Sequence, residues 1–357
     1  MDCLNLAELE LAALERLSAM AHGYYAGAAR DGLTLRENRA AWDRLRLYYR
    51  VLVDVALRDP STTVLGQRMA LPILAAPTAF HCLAHPDGER ATARGCGAAG
   101  VGMVLSTLST VAMEEVAAAA SGPLWFQLYV YRDRAVTRSL VQRAEAAGYS
   151  ALVLTVDAAI IGTRETDARN RFHLPEGMAA ANLTGAGMGA IPLDAHGSGL
   201  ERYVRELLTP RLTWADLDWL AAQTRLPVLV KGIVRADDAV TAVDHGAAGV
   251  VVSNHGGRQL DGAPPTAEVL PEVVAAVGDR VEVLVDGGIR RGSHVLRALA
   301  LGARAVLVGR PVLWGLAVNG ADGVSGMFSL LAAELDEAMA LCGCPSATAV
   351  PRDLVRA

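Results

Sequence analysis

His255-Gly256-Gly257-Arg258 sets a base and a guanidinium three residues apart, directly after the apolar run Gly249-Val250-Val251-Val252-Ser253. The run reads as a buried strand. The two glycines read as the sharp turn at its C-terminal end, because glycine tolerates positive φ and close backbone approach. The imidazole can take a proton while the guanidinium holds a carboxylate in the same pocket. That pairing suits chemistry on a small acid. A different signal comes from Asp286-Gly287-Gly288-Ile289-Arg290-Arg291-Gly292 and Gly309-Arg310. Gly-rich turns ahead of helix N-termini expose N–H groups to an anion, and the arginines add charge-assisted bonds. Here the expected anion is a phosphate.

The elements that must position these groups follow from the hydrophobic pattern. Short apolar runs recur at Pro72–Ala76, Val101–Ser106, Leu124–Tyr129, Ala151–Val156, Pro227–Lys231, Gly249–Ser253, Glu282–Asp286 and Ala305–Gly309. Ala- and charge-rich segments of helical spacing separate them, among them Ala135–Ala147, Ala236–His245 and Gly292–Leu301. Continuously apolar strands alternating with helices imply a parallel sheet, and eight such units imply a closed (β/α)8 TIM barrel. An open doubly wound sheet is the structural competitor. It lacks its dinucleotide fingerprint here, since Gly287-Gly-Ile-Arg-Arg-Gly292 has the wrong spacing.

In a barrel the functional residues sit where strands end, because the loops there converge on one mouth. Those ends carry Ser106, Gln127, Tyr129, Thr155, Asp157, Lys231, Ser253, His255 and Asp286. The interval from Asp157 to Pro227 is longer than the others. Its middle, Leu183–Leu200, is glycine-rich with little periodicity, so we expect a mobile loop acting as a lid over about residues 174–212. The first 60 or so residues are expected to form helices capping a barrel that spans about 70–345, the whole chain (1–357) being one domain.

Composition narrows the function classes. A formal charge of −5 with no basic block argues against nucleic acid. No uncharged apolar stretch reaches the roughly 18 residues of a membrane span, so no membrane partner is expected. Cys3, Cys82, Cys96, Cys342 and Cys344 show no paired zinc spacing and read as free cytoplasmic thiols, with no metal site. His22, His81, His85, His173, His196, His245 and His294 read as structural or surface residues, and Trp42, Trp125, Trp214, Trp219 and Trp314 as packing.

Tyr24-Tyr25-Ala-Gly-Ala, Phe126-Gln-Leu-Tyr-Val, Leu154-Thr-Val-Asp157, Ser253-Asn-His-Gly-Gly-Arg-Gln-Leu-Asp261 and Asp286-Gly-Gly-Ile-Arg-Arg-Gly resemble the FMN-dependent 2-hydroxy-acid oxidases and dehydrogenases, such as glycolate and lactate oxidases. The resemblance runs from about Leu6 to Cys344. An electron sink that no side chain provides would then be the bound FMN. The resemblance implies His255 as catalytic base, oriented by Asp157, with Tyr129 on the substrate hydroxyl. It implies that Arg164, Arg258 and Tyr24 hold the substrate carboxylate. Pro77, Thr78, Ala79, Ser106, Gln127, Thr155 and Ser253 would hold the flavin ring, with Lys231 at its N1–C2 carbonyl edge. Asp286 would bind the ribityl chain, and Gly287, Gly288, Arg290, Gly309 and Arg310 the phosphate end.

Glycolate-specific members tend to carry a bulky aromatic where this chain has Leu108, and Ile160 and Ile161 beside Arg164 could line the same region. Lactate or larger (S)-2-hydroxy acids are therefore expected to be preferred over glycolate. Ala79 resembles the oxidases, which pass electrons to O2 and yield H2O2. A dehydrogenase using a quinone or carrier protein is the alternative, and a phosphate-binding barrel isomerase without flavin a more distant one. A homotetramer or larger homo-oligomer is the expectation that comes with the resemblance, and the free thiols point to the cytoplasm.

Overall fold

The computed structural model describes residues 3–195 and 197–356. Eight parallel strands close into a barrel: β1 (Ile73–Ala75), β2 (Gly102–Leu105), β3 (Leu124–Leu128), β4 (Leu152–Thr155), β5 (Val228–Ile233), β6 (Gly249–Val252), β7 (Glu282–Val285) and β8 (Ala305–Val308). Each lies within two residues of its expected run. Pairing follows chain order, and β8 returns to β1 through Leu307↔Leu74.

Side chains alternate across a strand, so every second residue points into the barrel. Leu74, Val104, Trp125, Val153, Leu229, Val251, Leu284 and Leu307 form that interior, closed below by the hairpin Thr62–Val64/Gln67–Met69 through Val64 and Met69. Two residues further along the same strands come Ala76, Ser106, Gln127, Thr155, Lys231, Ser253, Asp286 and Gly309. The barrel thus changes from an apolar plug to a polar layer within one pleat repeat, and that layer is the floor of the mouth.

The alternate strand residues face outward onto the helices. Helix Arg310–Cys342 buries Val312, Leu316, Val324, Phe328, Leu331, Leu335 and Met339, and is broken at Asn319–Gly320 by non-helical backbone. By length and composition it is the one described helix apolar enough to cross a membrane, yet it packs on the helices Gly88–Ala98, Leu6–Leu14 and Gly292–Ala300. As expected, the N-terminal region is helical, at Leu6–Leu14, Ala19–Ala26 and Leu33–Arg44. Tyr25 Oη donates to the Phe80 carbonyl at 2.6 Å, which fastens the second of these helices over the β1 loop.

The interval after β4, expected as a glycine-rich loop with little periodicity in its middle, contains regular structure. Ala181–Ala186 forms a short 3-10 helix and Gly199–Leu207 an α-helix, and Leu174, Leu183, Ile191, Leu200, Tyr203, Val204 and Leu208 are buried. Leu200, Val204 and Leu208 recur at helical spacing, a pattern that the surrounding glycines hid. Asn182 is buried and ties this segment to the β2 loop: its Oδ1 accepts from Met113 N at 2.8 Å and its Nδ2 donates to Ser109 Oγ at 2.8 Å. His196 lies outside the described residues.

Candidate active site

A cleft of about 1200 Å³, counting its solvent-open part, sits on the polar layer at the C-terminal ends of the strands. Of the residues predicted to form the site, all but Asp157, Ser253 and Ile160 line it, and Asp157 and Ser253 stand immediately behind it in contact with lining side chains.

At the centre His255 Nδ1 and Asp157 Oδ1 are 2.9 Å apart. The carboxylate only accepts, so Nδ1 carries the hydrogen and Nε2 is left with a lone pair. Backbone geometry explains how a residue just past β6 reaches this position. His255, Gly256 and Gly257 all have positive φ, at 58°, 63° and 74°, an arrangement costly for histidine and open to glycine. A Cβ on Gly257 would stand 2.6 Å from Leu35 N, so only glycine fits there. The neighbouring strand makes room in the same way. β5 is irregular between Lys231 and Ile233, and a Cβ on Gly232 would lie 2.7 Å from the Asp157 Cβ.

Burial sets the protonation states. It pushes the His255 imidazole below its ordinary value of 6.5, against the pull of Asp157, so the ring is neutral at pH 7. Burial alone would raise the Asp157 carboxyl, but His255 and Lys231 outweigh it and hold the group below the usual carboxylate range. Burial, then Asp157, pushes the Tyr129 phenol well up, so it stays a donor. Burial would lower the Lys231 ammonium, but Asp286 and Asp157 more than compensate and keep it charged.

On one side of His255 stand two buried cations. Arg258 Nη1 donates to the carbonyls of Tyr24 and Gly27 at 2.7 and 2.9 Å, and its guanidinium lies 4.9 Å over the Tyr24 ring. The Arg164 guanidinium lies 5.8 Å over the same ring. Tyr24 also stacks on Phe172, with ring centroids 4.2 Å apart. Arg164 faces Asp167 at only 3.4 Å, and its Nε is buried without a partner. The clamp therefore has donors to spare for an anion. Leu108, Ile161, Leu200, Val204 and Leu208 supply apolar lining to the cleft. Ile160, expected beside Ile161, instead points to solvent with 71% exposure.

Across the barrel top runs a chain of buried polar contacts. Gln127 Nε2 donates to Thr155 Oγ1 at 3.1 Å, and its Oε1 accepts from Thr107 N at 3.1 Å and Ser106 Oγ at 3.4 Å. Lys231 Nζ donates to Ser253 Oγ at 3.0 Å and pairs with Asp286 Oδ2 at 3.1 Å, while Asp286 Oδ1 is buried and unmatched. Pro77, Thr78 and Ala79 edge the same region.

At the far end lie Gly287, Gly288, Gly309, Arg290 and Arg310. Arg290 donates to the Ile289 carbonyl and lies 4.9 Å over Trp314. Arg310 donates to the carbonyls of Tyr25, Gly256 and Gly27. Among the described residues neither forms an ion pair with a carboxylate. Burial lowers Arg290 to about 10 and Arg310 well below its ordinary value. Two part-buried guanidiniums with no ion-pair partner among the described residues, beside the N-terminus of helix Arg310–Cys342, are suited to an anion such as phosphate.

A family model for FMN-dependent dehydrogenases matches residues 13–357. The chain belongs to this family. The L-lactate oxidase of Nostoc sp. is 56% identical over 345 residues, covering 96% of this chain and 94% of that protein. The 2-hydroxyacid oxidase 1 of Homo sapiens is 47% identical over 357 residues, 99% of this chain and 96% of that one. The crystal structure of a mandelate oxidase with (S)-4-hydroxymandelic acid superimposes with a TM-score of 0.95 at 46% identity, over 99% of this chain and 98% of that one.

The cofactor of an FMN-dependent dehydrogenase fits the residues present. Its phosphate matches the unpaired Arg290 and Arg310, the orphaned Asp286 Oδ1 awaits a hydroxyl donor, and the Gln127 and Lys231 contacts offer polar partners to a ring between them. Sequence reasoning missed two contributors. Gln259 Nε2 donates to the Asp157 and Ile160 carbonyls and its Oε1 accepts from Gly162 N, which fixes the backbone carrying Asp157. Asp167, one helical turn from Arg164, was the other, and that spacing was its only signal.

Proposed function

We propose that the protein oxidises an (S)-2-hydroxy acid of lactate size or larger to the 2-keto acid, with O2 as the final acceptor and H2O2 as the second product. The observation that carries this reading is one cleft holding the neutral His255, backed by Asp157, between the Arg164/Arg258 clamp and the polar floor. FMN, when bound on that floor, supplies the two-electron acceptor, which O2 reoxidises. Arg164, Arg258 and Tyr24 hold the carboxylate, Tyr129 donates to the substrate hydroxyl, and His255 Nε2 takes the proton that leaves the substrate. Asp157 stabilises the resulting imidazolium. Lys231 would supply a fixed cation to stabilise negative charge on the bound cofactor.

The names of the relatives, lactate, 2-hydroxyacid and mandelate oxidases, support the hydroxy-acid class. The size preference rests on Leu108 and the apolar face of helix Gly199–Leu207. Comparing kcat/KM for glycolate, lactate, 2-hydroxyhexanoate and mandelate tests it, and a clear preference for glycolate would overturn it. Leu108→Trp should reduce the preference for the larger acids over glycolate by about tenfold or more.

The proton transfer also predicts a pH profile. The base must be neutral to act, and its value in the free protein is depressed below 6.5, mainly by burial. kcat/KM should therefore be flat near neutrality and fall only as pH drops through a midpoint below 6.5. A steady decline starting above pH 7 would contradict this assignment of the base.

A further inference from the structure

Behind the phosphate end of the cleft stands a histidine that this chemistry does not use. His294, in the first turn of helix Gly292–Ala300, is 2% exposed. Its Nε2 lies 2.9 Å from Asp43 Oδ1, and its Nδ1 lies 3.3 Å from the Arg290 backbone nitrogen. The Asp43 carboxylate only accepts, so Nε2 carries the hydrogen and Nδ1 accepts from the Arg290 N–H. Burial pushes the imidazole down to about 4, consistent with a neutral ring holding this one tautomer.

His294 is braced by Trp42, with ring centroids 6.5 Å apart and planes 20° from parallel. The Trp42 indole in turn donates to the Gly287 carbonyl at 2.8 Å. Two adjacent residues of helix Leu33–Arg44, Trp42 and Asp43, thus reach the Gly287–Arg290 turn, one directly and one through His294. A Cβ on Gly288 would stand 2.4 Å from the Asn38 carbonyl, so the turn is pressed onto the same helix.

We propose that His294 is a positioning residue for the cofactor phosphate: by accepting the Arg290 N–H it fixes the turn in the shape that presents Gly288 and Arg290 to that anion. The inference rests on the reading that these residues hold the FMN phosphate. It acts on cofactor affinity and leaves the hydroxy-acid chemistry untouched. An asparagine carbonyl can take the place of Nδ1 as acceptor, whereas a glutamine amide reaches the Nε2 position and serves Asp43 alone.

The test is fluorescence titration of the apoprotein with FMN and, separately, with riboflavin, which lacks the phosphate. His294→Gln leaves the Arg290 N–H buried and unmatched, so it should weaken FMN by about tenfold. His294→Asn should stay within about twofold of the parent. Riboflavin should bind all three proteins alike. An H294Q protein that binds FMN as tightly as the parent would overturn the proposal, as would equal losses for FMN and riboflavin, or an H294N protein as weak as H294Q. Arg290→Met separates the two levels. It should abolish most of the preference for FMN over riboflavin; an undiminished preference would overturn the phosphate reading itself.

Discussion

His255→Gln is expected to retain yellow, FMN-loaded protein and to lose nearly all reduction of the flavin by substrate. Glutamine fills much the same space and brings its amide to the Nε2 position, but no atom on it has the basicity to take a proton at neutral pH. General-base contributions run roughly 10² to 10⁴-fold. The upper end is expected here, because the buried, unmatched Asp157 Oδ2 leaves the carboxylate free to stabilise the imidazolium formed in the parent. Stopped-flow mixing with substrate under anaerobic conditions measures the reductive rate directly. Cofactor content should not change, since His255 touches Asp157 and Ser253 and neither of the unpaired arginines. A variant reduced at the parent's rate would remove His255 from the proton transfer.

Arg164→Met should raise KM for hydroxy acids by about a hundredfold, corresponding to one lost charge-assisted contact of roughly 3 kcal/mol. Arg164 is the more informative of the two clamp arginines. Arg258 is tied to the Tyr24 and Gly27 carbonyls, so its removal also loosens the N-terminal helix; among the described residues Arg164 makes no such backbone bond, and its Nε is buried and unmatched. Methionine keeps most of the apolar stem, so the loss reads out the guanidinium. Arg164→Lys should recover only part of it, because an ammonium lacks the planar fork that meets both carboxylate oxygens. Steady-state kinetics and binding of the 2-keto acid should weaken together. An unchanged KM would take Arg164 out of the clamp.

Much of this site was legible in the sequence because a barrel strand carries its own ruler. Trp125, Val153, Leu229, Val251 and Leu284 fill the interior, and counting two residues onward from each gives Gln127, Thr155, Lys231, Ser253 and Asp286. Tyr24 and Arg164 were harder. Neither follows a strand end in that rhythm, and only the resemblance pointed to them. Physically, they reach the cleft from helix Ala19–Ala26 and from the cap of a short helix after β4, placements set by tertiary packing. Leu200, Val204 and Leu208 were not singled out for a different reason: glycines on the N-terminal side of their helix masked its period. Ile160 and Ile161 show the limit of local reading. Adjacent isoleucines look equivalent in sequence, and the turn after β4 sends one to solvent and the other to the cleft.

Anaerobic mixing of the FMN-loaded protein with L-lactate, followed by admission of air, tests the proposed reaction most directly. The visible flavin band should bleach as two electrons leave the substrate, then return quickly with one H2O2 formed per reoxidised flavin. Bleaching with only a slow return and no peroxide would replace O2 with another acceptor. A flavin band that none of lactate, 2-hydroxyhexanoate, mandelate or glycolate bleaches would contradict hydroxy-acid oxidation itself.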